Sequence, residues 1–255
     1  MWRYYGLRFC ELTITRLPLW LGHLLVNIAG DLSYHLARRS RAIVEGNLRR
    51  VFAALGVPQA ASERIAAPGQ QVGIGFPVVA KVLSPDIAHK TEARAVRLNV
   101  TSDEELAAAC EEILVNARAY KKDARIEGVL VQRMEKGLAE VILGYKRDPQ
   151  VGPVVVLGIG GVLAEIYHDF ALRLAPVSAE EAMRMIEEVK GLAIIRGYRG
   201  LPRGDCAALA RAVSAFSQLA HVPGVAEAEI NPLLVKREGE GVIAVDGLIV
   251  RRDND

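Results

Sequence analysis

From Gly75 onward, β-branched runs alternate with segments that begin like helices, and this order restricts the fold more than any other feature of the chain. Pro77–Leu83 is the first such run and predicts a buried strand. Further strands are predicted at Gly128–Met134, Ala139–Tyr145 and Val154–Leu157. Helix starts are predicted at two capping boxes and one further N-cap, namely Ser102 with Glu105, Ser178 with Glu181, and Asp205. The order indicates an α/β or α+β fold, with helices flanking a substantial mixed sheet.

The last two predicted strands, Glu227–Val235 and Val242–Val250, carry the most informative polar residues. Paired antiparallel, they can bring Glu229, Asn231 and Asp246 together at one end of the sheet. Mg²⁺ prefers hard oxygen ligands and takes few of them from protein when phosphates and water complete its octahedron. One amide oxygen and one carboxylate meet that need. The alternative is that Asn231 only begins a strand-edge turn and Asp246 is only a turn acid.

The first 74 residues differ from the rest of the chain in charge and composition. Residues 1–52 carry eight Arg and three acids, a net charge of +5, whereas the remainder is net −3. Apolar residues at three- and four-residue spacing predict a basic amphipathic helical segment over 1–55. Such a helix either lies on an anionic membrane or packs as a solvated helix on the body. Residues 56–74 are rich in Ala, Gly, Gln and Pro, and predict a linker or a truncated remnant of a small subdomain.

Composition excludes several classes of protein. The net charge of +2 provides no basic field for nucleic acid. Three well-separated cysteines argue against a disulfide framework and a zinc site, and fit a reducing cytosol. No apolar run reaches the roughly 20 residues of a membrane span. We therefore expect a cytoplasmic protein, with peripheral membrane contact through residues 1–52 as an option.

Several blocks, in order, resemble the ATP-grasp module of ADP-forming (NDP-forming) acyl-CoA synthetases, the acetate–CoA ligase β-subunit type. They include "GFPVVAKVLSPDIAHKTEARAVRL", "GVLVQRMEKGLAEVILGYKRDPQVGPVVVLGIGGVLAEI", "ALRLAPV", "GYRGLPRGD" and "EINPL" with "VDG". Together they span about 180 of the 255 residues. The resemblance implies an ATP-grasp-like domain over 75–255 that binds ATP or ADP with Mg²⁺, and it makes Asn231 and Asp246 metal ligands.

The resemblance also implies roles for residues in the first half of this domain. Lys81 reaches the nucleotide phosphates, and His89 relays a phosphoryl group. Gln132–Met134, which includes Arg133, corresponds to the adenine-contacting hinge, which acts mainly through backbone groups. Glu140 lies in the nucleotide cleft. By their chemistry alone, the alternatives are that Lys81 is a strand-end lysine in water and that His89 is a surface residue.

The second half contributes a glycine turn and two charged residues. Gly158, Gly160 and Gly161 form "GIGG", which leaves backbone N–H groups bare for phosphate. Glu165 is assigned as a carboxylate for Mg²⁺ or its waters, and Arg173 as a forked cation for phosphate. The alternative for these two is an exposed pair without a partner.

Two features depart from the family pattern. Residues 16–52 resemble the N-terminal helices of lipid A lauroyl-type acyltransferases, yet no histidine of the chain has Asp five residues later, so the HxxxxD motif of that family is missing. At Arg94, a position where the acyl-CoA synthetase family favours glycine, arginine is expected to crowd the His89 loop. The same resemblances suggest that a complete small subdomain before Gly75 is lacking.

Together these features predict the Mg–ATP-binding subunit of an ADP-forming acyl-CoA synthetase, an acid–thiol ligase. It would exchange a phosphoryl group between nucleotide and histidine. Because no CoA-binding domain fits in 255 residues, CoA would come through a partner α-type subunit. The alternative is a non-catalytic, fused or truncated ATP-grasp remnant whose helical head docks on a membrane or a protein.

Overall fold

A computed structural model describes residues 62–65 (as backbone), 73–87, 90–161 and 168–251. All of them belong to one compact unit, Ala42–Asp255. The basic segment 1–55 lies outside the described residues. Within the described part, no helix is both long and apolar enough to cross a membrane.

The first part of the chain builds a four-stranded antiparallel sheet with one helix. Its strands are β1 (Ser62–Ile65), β2 (Val78–Leu83), β3 (Val96–Val100) and β4 (Gly128–Arg133), in the order β1-β4-β2-β3. Helix α1 (Asp103–Tyr120) covers one face. Alternate residues of β2 and β4 pack against this helix in one apolar core, namely Val78, Ala80, Val82, Val129 and Val131 with Leu106, Cys110 and Ile113.

The rest of the chain builds a six-stranded sheet with two helices. The strands are β5 (Ala139–Asp148), β6 (Gly152–Ile159), β7 (Phe170–Leu174), β8 (Val225–Val235), β9 (Val242–Ala244) and β10 (Gly247–Arg251). Their order is β10-β8-β5-β6-β7, with β9 also on β8, and every described pairing is antiparallel. Helices α2 (Ala179–Glu188) and α3 (Cys206–Ser217) cover one face, where large side chains such as Leu143, Leu157, Met185, Leu209 and Phe216 form a second core.

The predicted helix starts are confirmed. Ser102 Oγ accepts from the Glu105 N–H at 3.2 Å and Ser178 Oγ from the Glu181 N–H at 3.1 Å. Asp205 caps α3 by accepting from the Ala208 N–H at 2.9 Å. Short 3-10 turns follow α2 at Lys190–Arg196 and Tyr198–Gly200, and α3 at Gln218–His221. The α+β prediction with helices flanking sheet is confirmed.

Three strands differ from expectation. β1 lies inside the segment predicted as a linker and pairs with β4, so these four residues extend the first sheet. β3 and β7 were not predicted. Their sequences, "VRLNV" and "FALRL", mix charged and apolar residues, and both lie largely exposed at sheet edges, where burial does not impose an apolar run.

Candidate functional site

Lys81 lies on the face of the four-stranded sheet that points away from α1. Its strand neighbours Ala80 and Val82 are fully buried against that helix, so strand alternation directs Lys81 to the opposite side. Lys81 is nevertheless only 4% exposed. A lysine buried to this degree requires polar partners.

Those partners come from the six-stranded sheet. The Lys81 ammonium donates to the Val245 carbonyl at 3.2 Å and lies 3.3 Å from Asp246 Oδ2. Lys90 Nζ also donates to Asp246 Oδ2 at 3.3 Å. Two lysines from the first sheet region thus converge on one carboxylate of the second, and the two sheets meet at this point.

The chain presents Asp246 by interrupting its closing strands. β9 and β10 both pair with β8 but are separated by Val245 and Asp246. Opposite the gap, the Asn231 N–H donates to the Asp246 carbonyl at 3.1 Å, and the Val245 N–H donates to the Pro232 carbonyl at 3.1 Å. The Asn231–Pro232 peptide bond is cis. Asn231 and Asp246 are therefore adjacent across the two strands, as their spacing predicts.

Glu229 lies beside the same residues. Its Oε1 accepts from the Asn231 side-chain amide at 2.9 Å, so the Asn231 amide nitrogen is used in this contact and its oxygen is not. Among the described residues, no group of three His, Cys, Asp or Glu side chains could hold a metal ion by itself. Mg²⁺ usually takes only one or two carboxylates from protein and completes its shell with waters and phosphates.

Asp246 is ionised despite its surroundings. Burial is the largest influence and raises the pKa of its carboxyl, but the positive charges of Lys81 and Lys90 and the Gly247 N–H, 2.9 Å from Oδ1, outweigh it. The pKa is therefore lowered from the usual 3.8. Lys81 and Lys90 place two cations beside this carboxylate, and ammonium groups suit a polyphosphate.

A tight turn fixes Lys90. The Ala95 N–H donates to the Lys90 carbonyl at 2.9 Å, and the Arg94 N–H to the Thr91 carbonyl at 3.0 Å. Arg94 adopts φ 49°, a left-handed conformation that glycine adopts at less cost, and this explains why glycine is favoured there. Its side chain is exposed, so it does not crowd the turn in the manner expected. His89 lies outside the described residues.

The glycine turn is held by close packing. A Cβ on Gly160 would stand 2.9 Å from the carbonyl carbon and oxygen of Glu140, and the Gly160 N–H donates to that oxygen at 2.7 Å. The Gly160 N–H is therefore not free for phosphate as expected, because it is hydrogen-bonded to the Glu140 carbonyl. Gly158 lies within β6, and Gly161, with φ +84°, places its Cβ position 3.9 Å from Glu140 Oε2. Glu165 lies outside the described residues.

The hinge residues fall at the end of β4. Gln132 shares the face of Lys81 and is 6% exposed, and its Oε1 is buried without a hydrogen-bond partner among the described residues. The Arg133 guanidinium is exposed and donates to the Ile74 carbonyl at 3.0 Å. The Met134 N–H donates to the Pro77 carbonyl at 3.0 Å. One backbone donor of the predicted hinge is therefore used within the protein.

Arg173 is not brought into this group; its contacts are with α2. It lies on the same face of β7 as the buried Ala171, toward α2. Its guanidinium bonds Glu181 and Glu188, both at 2.7 Å, and the Leu172 carbonyl at 2.9 Å. Hydrogen bonds to Glu188 and Glu181 raise the pKa of Arg173. Its role is to connect β7 with α2.

Comparison with known proteins adds to this geometry. The sequence pattern of the family described as ATP-grasp domain matches residues 35–250. The match begins about forty residues before the predicted domain start at 75, and inside the segment that resembles acyltransferase helices. That acyltransferase resemblance finds no support.

Individual relatives agree with the family match. The β subunit of ADP-forming acetate–CoA ligase II from Pyrococcus furiosus is 38% identical over 222 residues, which cover 84% of this chain and 94% of the relative.

Two solved structures are of acetyl-coenzyme A synthetase 1 from Ca. Korarchaeum cryptofilum. One, in complex with coenzyme A and Ca-AMPCP, superposes with a TM-score of 0.76 at 32% identity and covers 90% of this chain and 99% of that one. In the other, with Mg-AMPPCP, a phosphohistidine segment points towards the nucleotide binding site; its TM-score is 0.66 at 33% identity, covering 79% and 88%.

Proposed function

The chain belongs to the ATP-grasp family, and on this premise we propose that it is the Mg–nucleotide-binding β-type subunit of an ADP-forming acyl-CoA synthetase, an acid–thiol ligase. Its relatives of similar length carry the name of acetate–CoA ligase β subunits. The proposal specifies the ligand, ADP or ATP with Mg²⁺, and the step performed, the exchange of a phosphoryl group between nucleotide and histidine.

The observation that supports this function best is the convergence of Lys81 and Lys90 on Asp246, with Asn231 adjacent. The two ammonium groups supply the positive charge that a polyphosphate needs. The carboxylate and the amide oxygen suit Mg²⁺, which bound here would neutralise charge that develops on the transferred phosphoryl group. The fit therefore rests on donor chemistry already assembled between the two sheets.

The proposed exchange balances without any further reactant. In the direction of ATP formation, a terminal oxygen of ADP attacks the phosphorus of a phosphohistidine, the P–N bond breaks, and the imidazole keeps the electron pair. The reverse step regenerates phosphohistidine and ADP. Lys81 and Lys90 would hold the phosphates in line, and His89 is the proposed relay residue within this chain.

A partner is part of the proposal. The P. furiosus relative is named as one subunit of its enzyme, and the Korarchaeum structures contain coenzyme A. We expect this chain to obtain its CoA-binding function from an α-type subunit in trans. The alternative of a non-catalytic remnant is not favoured, because the charged site residues are present and β1 completes the edge of the first sheet.

Replacing Asp246 tests the site directly. Asp246→Ala removes the one carboxylate that Lys81 and Lys90 share and the proposed metal ligand. We expect Mg–ATP binding, measured by titration calorimetry, to weaken at least about 100-fold, because loss of an outer-shell partner of a metal alone costs about 10- to 100-fold. Asp123→Ala, which removes an exposed carboxylate elsewhere, is the matched control and should bind as the parent does.

Two results would contradict the assignment. Unchanged Mg–ATP affinity in Asp246→Ala would show that the metal and phosphates bind elsewhere. Equal affinity for ATP with and without Mg²⁺ in the parent would remove the metal from the site. Circular dichroism of both variants establishes that any loss of binding occurs in folded protein.

A further inference from the structure

Asn116, on helix α1, contacts the backbone of the turn that carries Lys90. Its side-chain Nδ2 donates to the Arg94 carbonyl at 2.9 Å, and the two residues are 22 positions apart in the chain. Because a carbonyl oxygen can only accept, this contact determines which end of the amide faces Arg94. The hydrogen bond therefore connects the turn to a helix, in addition to the bonds that the turn makes within itself.

The residue that Asn116 contacts is in a costly backbone conformation. Arg94 has φ 49°, in the left-handed region that glycine adopts readily and that residues with a Cβ adopt at a cost. Its neighbours Ala93 and Ala95 are 4% and 0% exposed and belong to the first core, whereas the Arg94 side chain is exposed. Burial of the arginine therefore does not offset the cost, and the hydrogen bond from Asn116 to its carbonyl does so in part.

The conformation at Arg94 also determines where Lys90 lies. The Ala95 N–H donates to the Lys90 carbonyl at 2.9 Å, and the Ala95 carbonyl accepts from the Val82 N–H at 2.9 Å. One end of the turn is thus bonded to β2, and the other end carries Lys90, whose Nζ lies 3.3 Å from Asp246 Oδ2. A change in the backbone at Arg94 would therefore move Lys90 relative to Asp246.

Resting on the proposed function, we propose that Asn116 is a positioning residue for phosphate binding, which acts through Arg94 on Lys90. By stabilising the left-handed conformation of Arg94, it keeps the Lys90 ammonium at the site of the nucleotide phosphates. Without this hydrogen bond the turn spends part of its time in other conformations, and the apparent affinity falls with the fraction that remains competent. Glycine at this position would need no such support, so Asn116 compensates for the arginine.

The first test compares a ligand that has phosphates with one that has none. Asn116→Ala should keep α1 intact, because alanine is the better helix former. We expect it to bind Mg–ADP about two- to tenfold more weakly in titration calorimetry, the range of one hydrogen bond, and to bind adenosine as the parent does. Glu112→Ala, which removes a contact of α1 with Arg97 on β3 one helical turn earlier, is the matched control and should bind both ligands as the parent does.

The second test asks whether Asn116 acts through Lys90. In a Lys90→Ala background, Asn116→Ala should have no further effect on Mg–ADP affinity, because residues that act as one unit are not additive. Arg94→Gly should rescue Asn116→Ala, so that the double variant binds Mg–ADP within about twofold of Arg94→Gly alone. Damage to α1 of a general kind would not be rescued by a glycine in the turn.

The outcomes separate this inference from the proposed function. Parental Mg–ADP affinity in Asn116→Ala, equal weakening for ADP and adenosine, full additivity with Lys90→Ala, or failure of Arg94→Gly to rescue each overturns the inference while the proposed function stands. Failure of the parent to bind Mg–ADP overturns the proposed function, and with it the inference.

Discussion

At the level of single residues, Asp246 makes the contacts that connect the two sheets at the site. It is within 3.3 Å of two ammonium groups, and its side chain is 28% exposed, so water screens these pairs only in part. Lys81 and Lys90 come from the first sheet region and Asp246 from the second. A bound magnesium ion would compete for the same carboxylate, and the lysines would then turn to the phosphates. The ligand-free ion pairs thus keep a charged site assembled that would otherwise be costly to bury.

Gly160 lies where close packing leaves no room for a side chain. Gly160→Ala would put a methyl group 2.9 Å from Glu140 backbone atoms, which cannot move without disturbing β5. We expect a loss of about 1–3 kcal/mol in the free energy of unfolding, measured by urea titration, as for other overpacked sites. Gly144→Ala is the matched control, because the nearest atom to its Cβ is at 3.8 Å. Equal stability of the two variants would contradict the close packing described.

At the level of elements, Asp205 joins a helix to a hairpin. One carboxylate oxygen caps α3 through the Ala208 N–H, and the other accepts from the Gly239 and Gly241 N–H groups at 3.1 and 3.0 Å. The turn between β8 and β9 is therefore fastened to the start of α3. Because Asp246 lies between β9 and β10, this contact supports the site from outside.

We expect Asp205→Ala to lower the free energy of unfolding by about 2–4 kcal/mol at pH 7, since it removes a cap and two further charge-assisted hydrogen bonds. Ser178→Ala is the matched control, since Ser178 caps α2 only, and it should cost about 1 kcal/mol. If the two variants lose the same stability in urea titrations, the carboxylate does not hold the hairpin.

The same contact predicts a pH dependence. The hydrogen bond from Ala208 is the largest influence on the pKa of Asp205; with those from Gly241 and Gly239 it outweighs burial and lowers that pKa below 3.8. A lowered pKa in the folded state stabilises the fold fully above the unfolded value and is lost as the pH falls through the folded one. The stability gap between parent and Asp205→Ala should therefore be constant from pH 7 to about 5 and shrink below about 4. A gap that persists unchanged at pH 3 would contradict this.

At the level of the whole molecule, local sequence signals predict the helices and most of the strands, whereas contacts between residues distant in sequence determine the geometry of the site. Capping boxes fixed the helix starts, and the spacing of Asn231 and Asp246 was enough to place them side by side. Lys81 and Lys90 lie 164 and 156 residues from their partners Val245 and Asp246, and no local pattern reports such a contact. The sequence of β7 contains no continuous apolar run, and without a predicted strand there is no alternation to show which face Arg173 occupies.

Because the site lies between the two sheets, its ligand should act on both. We expect Mg–ADP at 100 times its dissociation constant to stabilise the liganded fold by about 2.7 kcal/mol. Amide hydrogen exchange that requires the two sheets to separate at the site should then slow by up to about 100-fold. Amide hydrogen exchange should slow in β2 and also at the Asn231 and Val245–Gly247 crossing of β8 and β10. Adenosine lacks phosphates, and should slow exchange only on the β2–β4 side. The turn after α1, at Lys121–Arg125, is the internal control and should not respond. Protection by Mg–ADP confined to one sheet would mean that the phosphates do not bridge Lys81, Lys90 and Asp246.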